Sequence, residues 1–341
     1  MRVLMLRPRM DVAFKEGPIP NERGYIPPIR HHWIRFIDQV VSEHRRRGDP
    51  VEDREKPLWQ FSPDEINGDA FDLVYVPHRE HETFPMLDSR VKARYYMQSV
   101  IPERFYCDNA GWAGGVEMYP CFDLITRGKT LLENKDPLSL ANIGKLLNRM
   151  RNNESKFSQP NILHKLDLPK DYIFFPCQLP HDVTIKYHSN WSVGRAMTEV
   201  IESAARVGIQ VVIKGHPINP GSMTELKEIA HKYGHIIWID DASVHQLISK
   251  ARLVACVNSG VGFEALIHGK PVITFGRSDY DVITMNVNRD CANEDLVSDK
   301  LDSWLMEPQM VDEKMRMEFL AGWCNWTYDS SNTECFIEPR I

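Results

Sequence analysis

The stretch from Val211 to Gly276 constrains the fold of this 341-residue chain more than any other. Three short apolar runs occur there, and each ends in residues suited to holding an anion. Val211-Val212-Ile213 opens into Lys214-Gly215-His216-Pro217. Leu253-Val254-Ala255-Cys256-Val257 opens into Asn258-Ser259-Gly260-Val261-Gly262-Phe263-Glu264, and Pro271-Val272-Ile273-Thr274-Phe275 closes on Gly276. Apolar, largely β-branched runs this short, bounded by Gly and Pro, predict strands buried on both faces, as in parallel sheets. Ligands of such sheets bind in the loops beyond the strands' carboxyl ends.

The surrounding pattern extends this expectation. Strand-like segments at 172–176, 209–213, 236–239, 253–257 and 272–275 alternate with helical patterns at 193–207, 223–233, 244–250 and 263–268, which predicts a doubly wound α/β domain. Towards the amino end, strands are expected at 3–6, 71–76 and 105–107, and helices at 31–44, 91–100 and 138–150. The polar, prolyl stretch 48–68 reads as a surface excursion, and 151–169 as a linker. The expected division is a Rossmann-like domain over 1–165, a second over 166–309 and a helical tail over 310–341. The apolar part of that tail, 310–326, is expected to pack back on the first domain. A chain of this length suffices for two cores.

Composition excludes several classes. A net charge of -6 argues against a general nucleic-acid binder, because proteins that track phosphates carry clustered basic charge. Seven cysteines without a Cys-x-x-Cys pair fit neither a zinc ribbon nor a complete disulfide framework, and point to a reducing, cytoplasmic setting. No run approaches the roughly 18 apolar residues of a membrane span. His78 and His81 lack the His-Glu-x-x-His pattern of a helical metal site, and Asp279-Tyr280-Asp281 has the Asp-x-Asp form of a metal site without its setting.

Ser259 and Gly260 end a strand and begin a helix, so backbone N–H groups and the positive end of the helix dipole face outward together, a seat for a phosphate. Glu264 follows one turn later and is suited to accept from ribose hydroxyls, unless Ser259 is only a cap and Glu264 only solvated. His216, fixed by Pro217 at a strand mouth with Lys214 two residues earlier, can donate to a phosphate oxygen or protonate a leaving group. A third loop, Gln178 to Ser189, opens on the same side. Its Asp182 suits a base, a nucleophile or a turn cap.

These residues carry a resemblance. The patterns Gln178-x-x-x-Asp182-x-x-Ile185-x-Tyr187-x-Ser189, Lys214-x-His216-Pro217-x-x-x-Gly221 and Ser259-x-x-Gly262-Phe263-Glu264-Ala265-Leu266-x-x-Gly269-Lys270-Pro271, with Phe275-Gly276 and Tyr280 after them, resemble the capsule polysaccharide synthesis family, and within it the retaining β-Kdo transferases. The match covers about a hundred residues of the second domain. It implies a GT-B architecture, two Rossmann-like domains with a cleft between them, and a CMP-activated Kdo donor with no cofactor or metal. On the matching positions it implies Asp182 as the attacking carboxylate and His216, Ser259 and Gly260 on the donor phosphate. Lys214 and Pro217 would lie beside that phosphate, Glu264 on the ribose, and Gln178, Ser189 and Tyr280 elsewhere on the donor side. The family's first-domain glutamate before Gly-Trp is replaced here by asparagine, since Gly111-Trp112 follows Asp108-Asn109-Ala110, and Asp108 is the candidate substitute. The expected partners are a nucleotide sugar and a glycan or glycolipid acceptor, with peripheral association at the inner face of a membrane. A UDP-sugar transferase and a polysaccharide-binding or assembly protein with a decayed site stand as alternatives.

Overall fold

The computed structural model describes residues 1–8, 30–56, 70–77, 92–108, 121–157, 159–160, 166–217, 220–291 and 293–331. Its strands in chain order are β1 (Val3–Pro8), β2 (Val51–Lys56), β3 (Leu73–Pro77), β4 (Lys92–Gln98), β5 (Arg104–Asp108) and β6 (Tyr172–Pro176). There follow β7 (Gln210–Lys214), β8 (Ile236–Ile239), β9 (Leu253–Cys256), β10 (Val272–Thr274), β11 (Met285–Asn286) and β12 (Tyr328–Asp329). The chain divides into two units, Met1–Tyr119 with Cys324–Ile341, and Pro120–Trp323.

The first unit carries a six-stranded sheet of order β12-β5-β4-β3-β1-β2. β1 to β4 run parallel, whereas β5 and β12 are antiparallel to their neighbours. The helix Arg30–Arg46 lays Trp33, Phe36, Ile37, Val40 and Val41 on this sheet, following the apolar face its sequence predicts. Phe36 stacks on Phe105 with ring centroids 4.4 Å apart, and Trp33 meets the same ring edge-on at 5.3 Å. The chain's last described strand returns to this sheet, Tyr328 pairing with Phe105. The buried Arg104 guanidinium fixes the turn before it, donating to the Cys324 carbonyl at 2.8 Å and to Thr327 Oγ1 at 3.1 Å.

The second unit's sheet has the order β11-β10-β9-β6-β7-β8 and is parallel throughout. From β6 the chain winds outward through β7 and β8, then crosses to the other side of β6 for β9, β10 and β11. The winding therefore reverses between β6 and β9, which is where doubly wound sheets open a ligand crevice. The helix Val193–Val207 covers one face. Ser192 caps its start by accepting from the Arg195 N–H at 3.1 Å, and Gly208 ends it at φ +72°, a conformation glycine adopts without penalty. Its buried stripe of Ala196, Met197, Val200, Ile201 and Ala204 packs with Ile173, Val211, Leu253 and Ile273.

Three expectations differ from what is observed, and one helix lies where none is expected. Residues 92–98 form β4 instead of a helix: Tyr95 and Tyr96 are buried between β3 and β5, and aromatic side chains suit a pleated surface. The supposed excursion at 48–68 holds β2, a polar edge strand in which no residue is fully buried. The helix Cys121–Glu133 was not read at all. Finally, the boundary does not fall in a linker near 165: the helices Cys121–Glu133 and Pro137–Arg151 belong to the second unit, and so does most of the helix Glu313–Trp326. That last helix buries Phe319 and Trp323 against Phe263, with ring centroids 6.4 and 4.4 Å away. Its backbone meets the helix Cys121–Glu133 so closely that a Cβ on Gly128 would lie 1.7 Å from the Glu318 carbonyl oxygen, and one on Gly322 1.9 Å from that of Leu124.

Candidate active site

The site grows from the carboxyl ends of β6, β7, β9 and β10. Sequence reading sets His216 and Ser259 on adjacent strands. In the sheet, β6 lies between β7 and β9, so the loop beginning at Gln178 occupies the centre and the other two flank it. Gln178 spans the switch point. Its Nε2 donates to Asn258 Oδ1 at 2.9 Å while its Oε1 accepts from the Asn258 N–H at 3.0 Å. Asn258 Nδ2 in turn donates to the Thr184 carbonyl at 2.9 Å, tying the β9 loop to the helix Val183–His188. Gln178 thus acts through its neighbours, and Asn258 is a site-building residue that the sequence offered only as part of a motif.

Asp182 caps that short helix: Oδ1 accepts from the Thr184 N–H at 2.9 Å and from the Thr184 hydroxyl at 2.8 Å. The carboxylate is only partly buried. Its cap bonds fix where it points, which serves a nucleophile as well as a helix. Ser189 closes the same loop, accepting from the Trp191 N–H at 2.9 Å and donating to the Trp191 carbonyl at 3.0 Å. Gly276 is required beside it, because a Cβ there would meet Ser189 Cβ at 3.0 Å and the His188 carbonyl oxygen at 3.1 Å.

On the β9 side, Ser259 is the N-cap of the helix Gly260–Ile267, its hydroxyl accepting from the Val261 N–H at 3.2 Å. The cap reading of its side chain is therefore correct, which leaves the helix terminus and its backbone N–H groups as what could hold an anion there. Tyr280 is fully buried beneath this turn and donates its hydroxyl to the Ser259 carbonyl. A Cβ on Gly262 would stand 2.5 Å from that hydroxyl. Tyr280 is a positioning residue. The flanking carboxylates are also engaged: Asp279 accepts from Trp323 Nε1 at 2.7 Å, and Asp281 from the Ser278 N–H at 3.2 Å. Among the described residues no group of three or more His, Cys, Asp or Glu is placed to hold a metal ion.

Glu264 is not solvated. It is 3% exposed, burial raises its carboxyl pKa to about 7, and Ser155 and the charge of Arg149 oppose the rise. Ser155 hydrogen-bonds the carboxylate, yet Oε1 has no hydrogen-bond partner among the described residues. A buried acceptor in this state is the group that a donor hydroxyl would satisfy.

On the β7 side, Lys214 is buried and donates to the Asp240 carbonyl at 3.4 Å. Gly215 lies so close to Asp240 that a Cβ would stand 2.7 Å from Oδ1. His216 and Pro217 are partly exposed, and the His216 ring meets Phe157 edge-on at 5.4 Å. Asp108 ends β5 in the other unit. Because β5 runs antiparallel, Asp108 pairs with Tyr95 in mid-β4. Asn109, Gly111 and Trp112 lie outside the described residues, as do His78 and His81.

Two Rossmann-like units in one α/β chain, with polar loops gathered at a switch point, define a protein of the GT-B kind. The same fold occurs in the Thermosulfurimonas dismutans chain described as "KpsC, beta Kdo 2,7 transferase", with a TM-score of 0.53, 18% identity, and coverage of 94% of this chain and 90% of that one. Residues 140–312, just over half of the chain, match the family described as capsule polysaccharide biosynthesis protein, and the chain belongs to that family. Among curated relatives, Protein FixF of Sinorhizobium fredii is 29% identical over 164 residues, which are 47% of this chain and 39% of its own. Capsule polysaccharide export protein KpsS of Escherichia coli is 30% identical over 139 residues, 37% of this chain and 36% of its own. This chain thus spans well under half the length of those relatives. No helix of the described residues is long and apolar enough to cross a membrane.

Proposed function

We propose that this protein is a retaining glycosyltransferase that moves Kdo, or a related 2-keto sugar acid, from a CMP donor to a glycan acceptor in surface polysaccharide synthesis at the cytoplasmic side of the membrane. The observation that carries the reading is Glu264: a buried, half-satisfied carboxylate one turn inside the helix that begins at Ser259, with Asp182 on the neighbouring central loop after β6 and His216 beyond it on the loop after β7. In this reading Glu264 accepts from ribose hydroxyls, and the helix terminus with His216 takes the single phosphate. Lys214 and Pro217 shape the turn that presents His216. Membership of the capsule family and the fold shared with a chain described as a β-Kdo transferase support the choice of donor.

The chemistry follows two inversions. An oxygen of Asp182 attacks the anomeric carbon, the bond from that carbon to the phosphate oxygen breaks, and CMP leaves with the electron pair. An acceptor hydroxyl then attacks the same carbon, its proton passes to a base, and the Asp182 carboxylate is released. The configuration is retained because two inversions cancel. Asp108 is the acid proposed for that base. Intact mass spectrometry after incubation with CMP-Kdo tests the reading: a Kdo adduct mapped to Asp182 is expected, and transfer with no adduct in wild type under rapid quench would overturn the covalent step.

A further inference from the structure

One pair of amide side chains at the switch point gathers three of the site's loops. Asn258, the residue before the Ser259 cap, has every polar atom of its carboxamide engaged. Nδ2 donates to the Thr184 carbonyl at 2.9 Å and to the Arg277 carbonyl at 3.3 Å, and Oδ1 accepts from Gln178 Nε2 at 2.9 Å. The Asn258 N–H closes the pair by donating to Gln178 Oε1 at 3.0 Å. The orientation of both amides follows, because turning Asn258 over would set its oxygen against two carbonyl oxygens and its amino group against that of Gln178. The helix Val183–His188 needs such ties, since six residues form a helix too short to persist alone in water. Its far end is held as well, the His188 carbonyl accepting from the Arg277 N–H at 2.8 Å. A Cβ on Gly276 would stand 3.1 Å from Asn258 Nδ2, so the loops close tightly around this one side chain.

We propose that Gln178 and Asn258 together position the nucleophile against the leaving group, and so control the first displacement without holding the nucleotide. The inference rests on the reading of Asp182 as nucleophile, and deepens it. Asp182 caps the helix that Asn258 grips at Thr184, so the pair fixes the turn from which the Asp182 carboxylate projects. On its other side Asn258 runs directly into Ser259, whose carbonyl Tyr280 anchors and whose helix end is the candidate phosphate seat. One side chain therefore joins the supports of the two groups that act in the first displacement, in which an Asp182 oxygen bonds the anomeric carbon as the bond from that carbon to the phosphate oxygen breaks. Such a step needs the reacting atoms held in line, and a misplacement of about 1 Å costs on the order of a hundredfold in rate. The nucleotide seat has supports of its own, Tyr280 under the Ser259 turn and the buried Glu264 within the helix, and these do not pass through the pair.

Rapid-quench mass spectrometry of the Kdo adduct formed from CMP-Kdo, with calorimetric titration of CMP, tests this on wild type, Asn258→Ala, Gln178→Ala and the double variant. Asn258→Ala is expected to form the adduct about a hundredfold more slowly than wild type while its CMP affinity stays within about threefold. Gln178→Ala leaves the bonds to Thr184 and Arg277 possible and should lose about tenfold. The double variant should lose about as much as Asn258→Ala alone, because the two side chains act as one unit. An unchanged adduct rate in folded Asn258→Ala overturns the proposal, and so does an equal loss of adduct rate and CMP affinity, which a merely structural role would give. If Asn258→Ala does not fold, Gln178→Ala decides by the same two measurements. Wild type that transfers sugar without forming an adduct overturns the nucleophile reading, and this proposal with it.

Discussion

Replacing Glu264 with glutamine makes the nucleotide seat testable without any knowledge of the acceptor. A carboxyl that titrates at about 7 in the folded protein instead of 4.5 costs the fold about 3 kcal/mol once it is ionised. The folded pKa is the raised one, so folding takes up a proton between the two values. Stability from this group is undiminished below about pH 4.5, falls as pH rises through that window, and is lowest above 7. Glu264→Gln, nearly the same shape and uncharged, should therefore be more stable than wild type at pH 8 by up to about 3 kcal/mol, or roughly 6–12 °C in Tm, and about equal to it near pH 5. Nucleotide binding should reverse the advantage. Ribose hydroxyls donating to the carboxylate favour its ionised form, so wild-type affinity for CMP should climb by up to about tenfold per pH unit below 7 and level off above it. The CMP phosphate itself titrates near pH 6. The informative quantity is therefore the difference between wild type and variant, measured by calorimetry from pH 5.5 to 8.5 alongside thermal unfolding. Identical pH profiles for both proteins, with and without CMP, would refute the assignment of Glu264.

Other perturbations address separate parts of the site. Asp182→Asn keeps an oxygen to cap the Thr184 N–H and should leave stability near wild type while abolishing sugar transfer; Asp182→Ala should add a cap loss of about 1 kcal/mol in denaturant titration. Wild-type turnover in the asparagine variant would remove Asp182 from the reaction. Gly262→Ala should cost about 1–3 kcal/mol by driving a methyl into the Tyr280 hydroxyl, and Tyr280→Phe should relieve part of that cost in the double variant, as a double-mutant cycle would measure. Gly128→Ala should be worse, about 3 kcal/mol in chemical unfolding, because the obstacle is the Glu318 backbone and two helices must separate.

The second unit was legible because its central strands are buried and their ends are punctuated by Gly and Pro, so 172–176 and 253–257 announce themselves, and the edge strand 236–239 is a short apolar run of the same kind. The first unit was less so: β4, Lys-Ala-Arg-Tyr-Tyr-Met-Gln, carries charges and aromatics at a spacing that also fits a helix, and β2 is a polar edge strand paired with β1, with Val51 packed against the core. The site shows the same division. That Asp182, His216 and Ser259 follow the carboxyl ends of neighbouring strands could be read from the sequence, because those strand ends are punctuated by polar residues, Gly and Pro. What their side chains do could not be found: whether Ser259 caps, whether Tyr280 touches a ligand or supports the turn, and whether Glu264 is wet or buried depend on neighbours distant in sequence. The segment after Arg151 is the extreme case. It is polar and lacks periodicity, so composition reads it as a linker, yet its polar atoms are matched to Ser243, Val244, His245 and Glu264. A segment held by side-chain hydrogen bonds instead of an apolar stripe leaves no periodic trace, and the ties of Asn153, Glu154 and Gln159 lie in that segment.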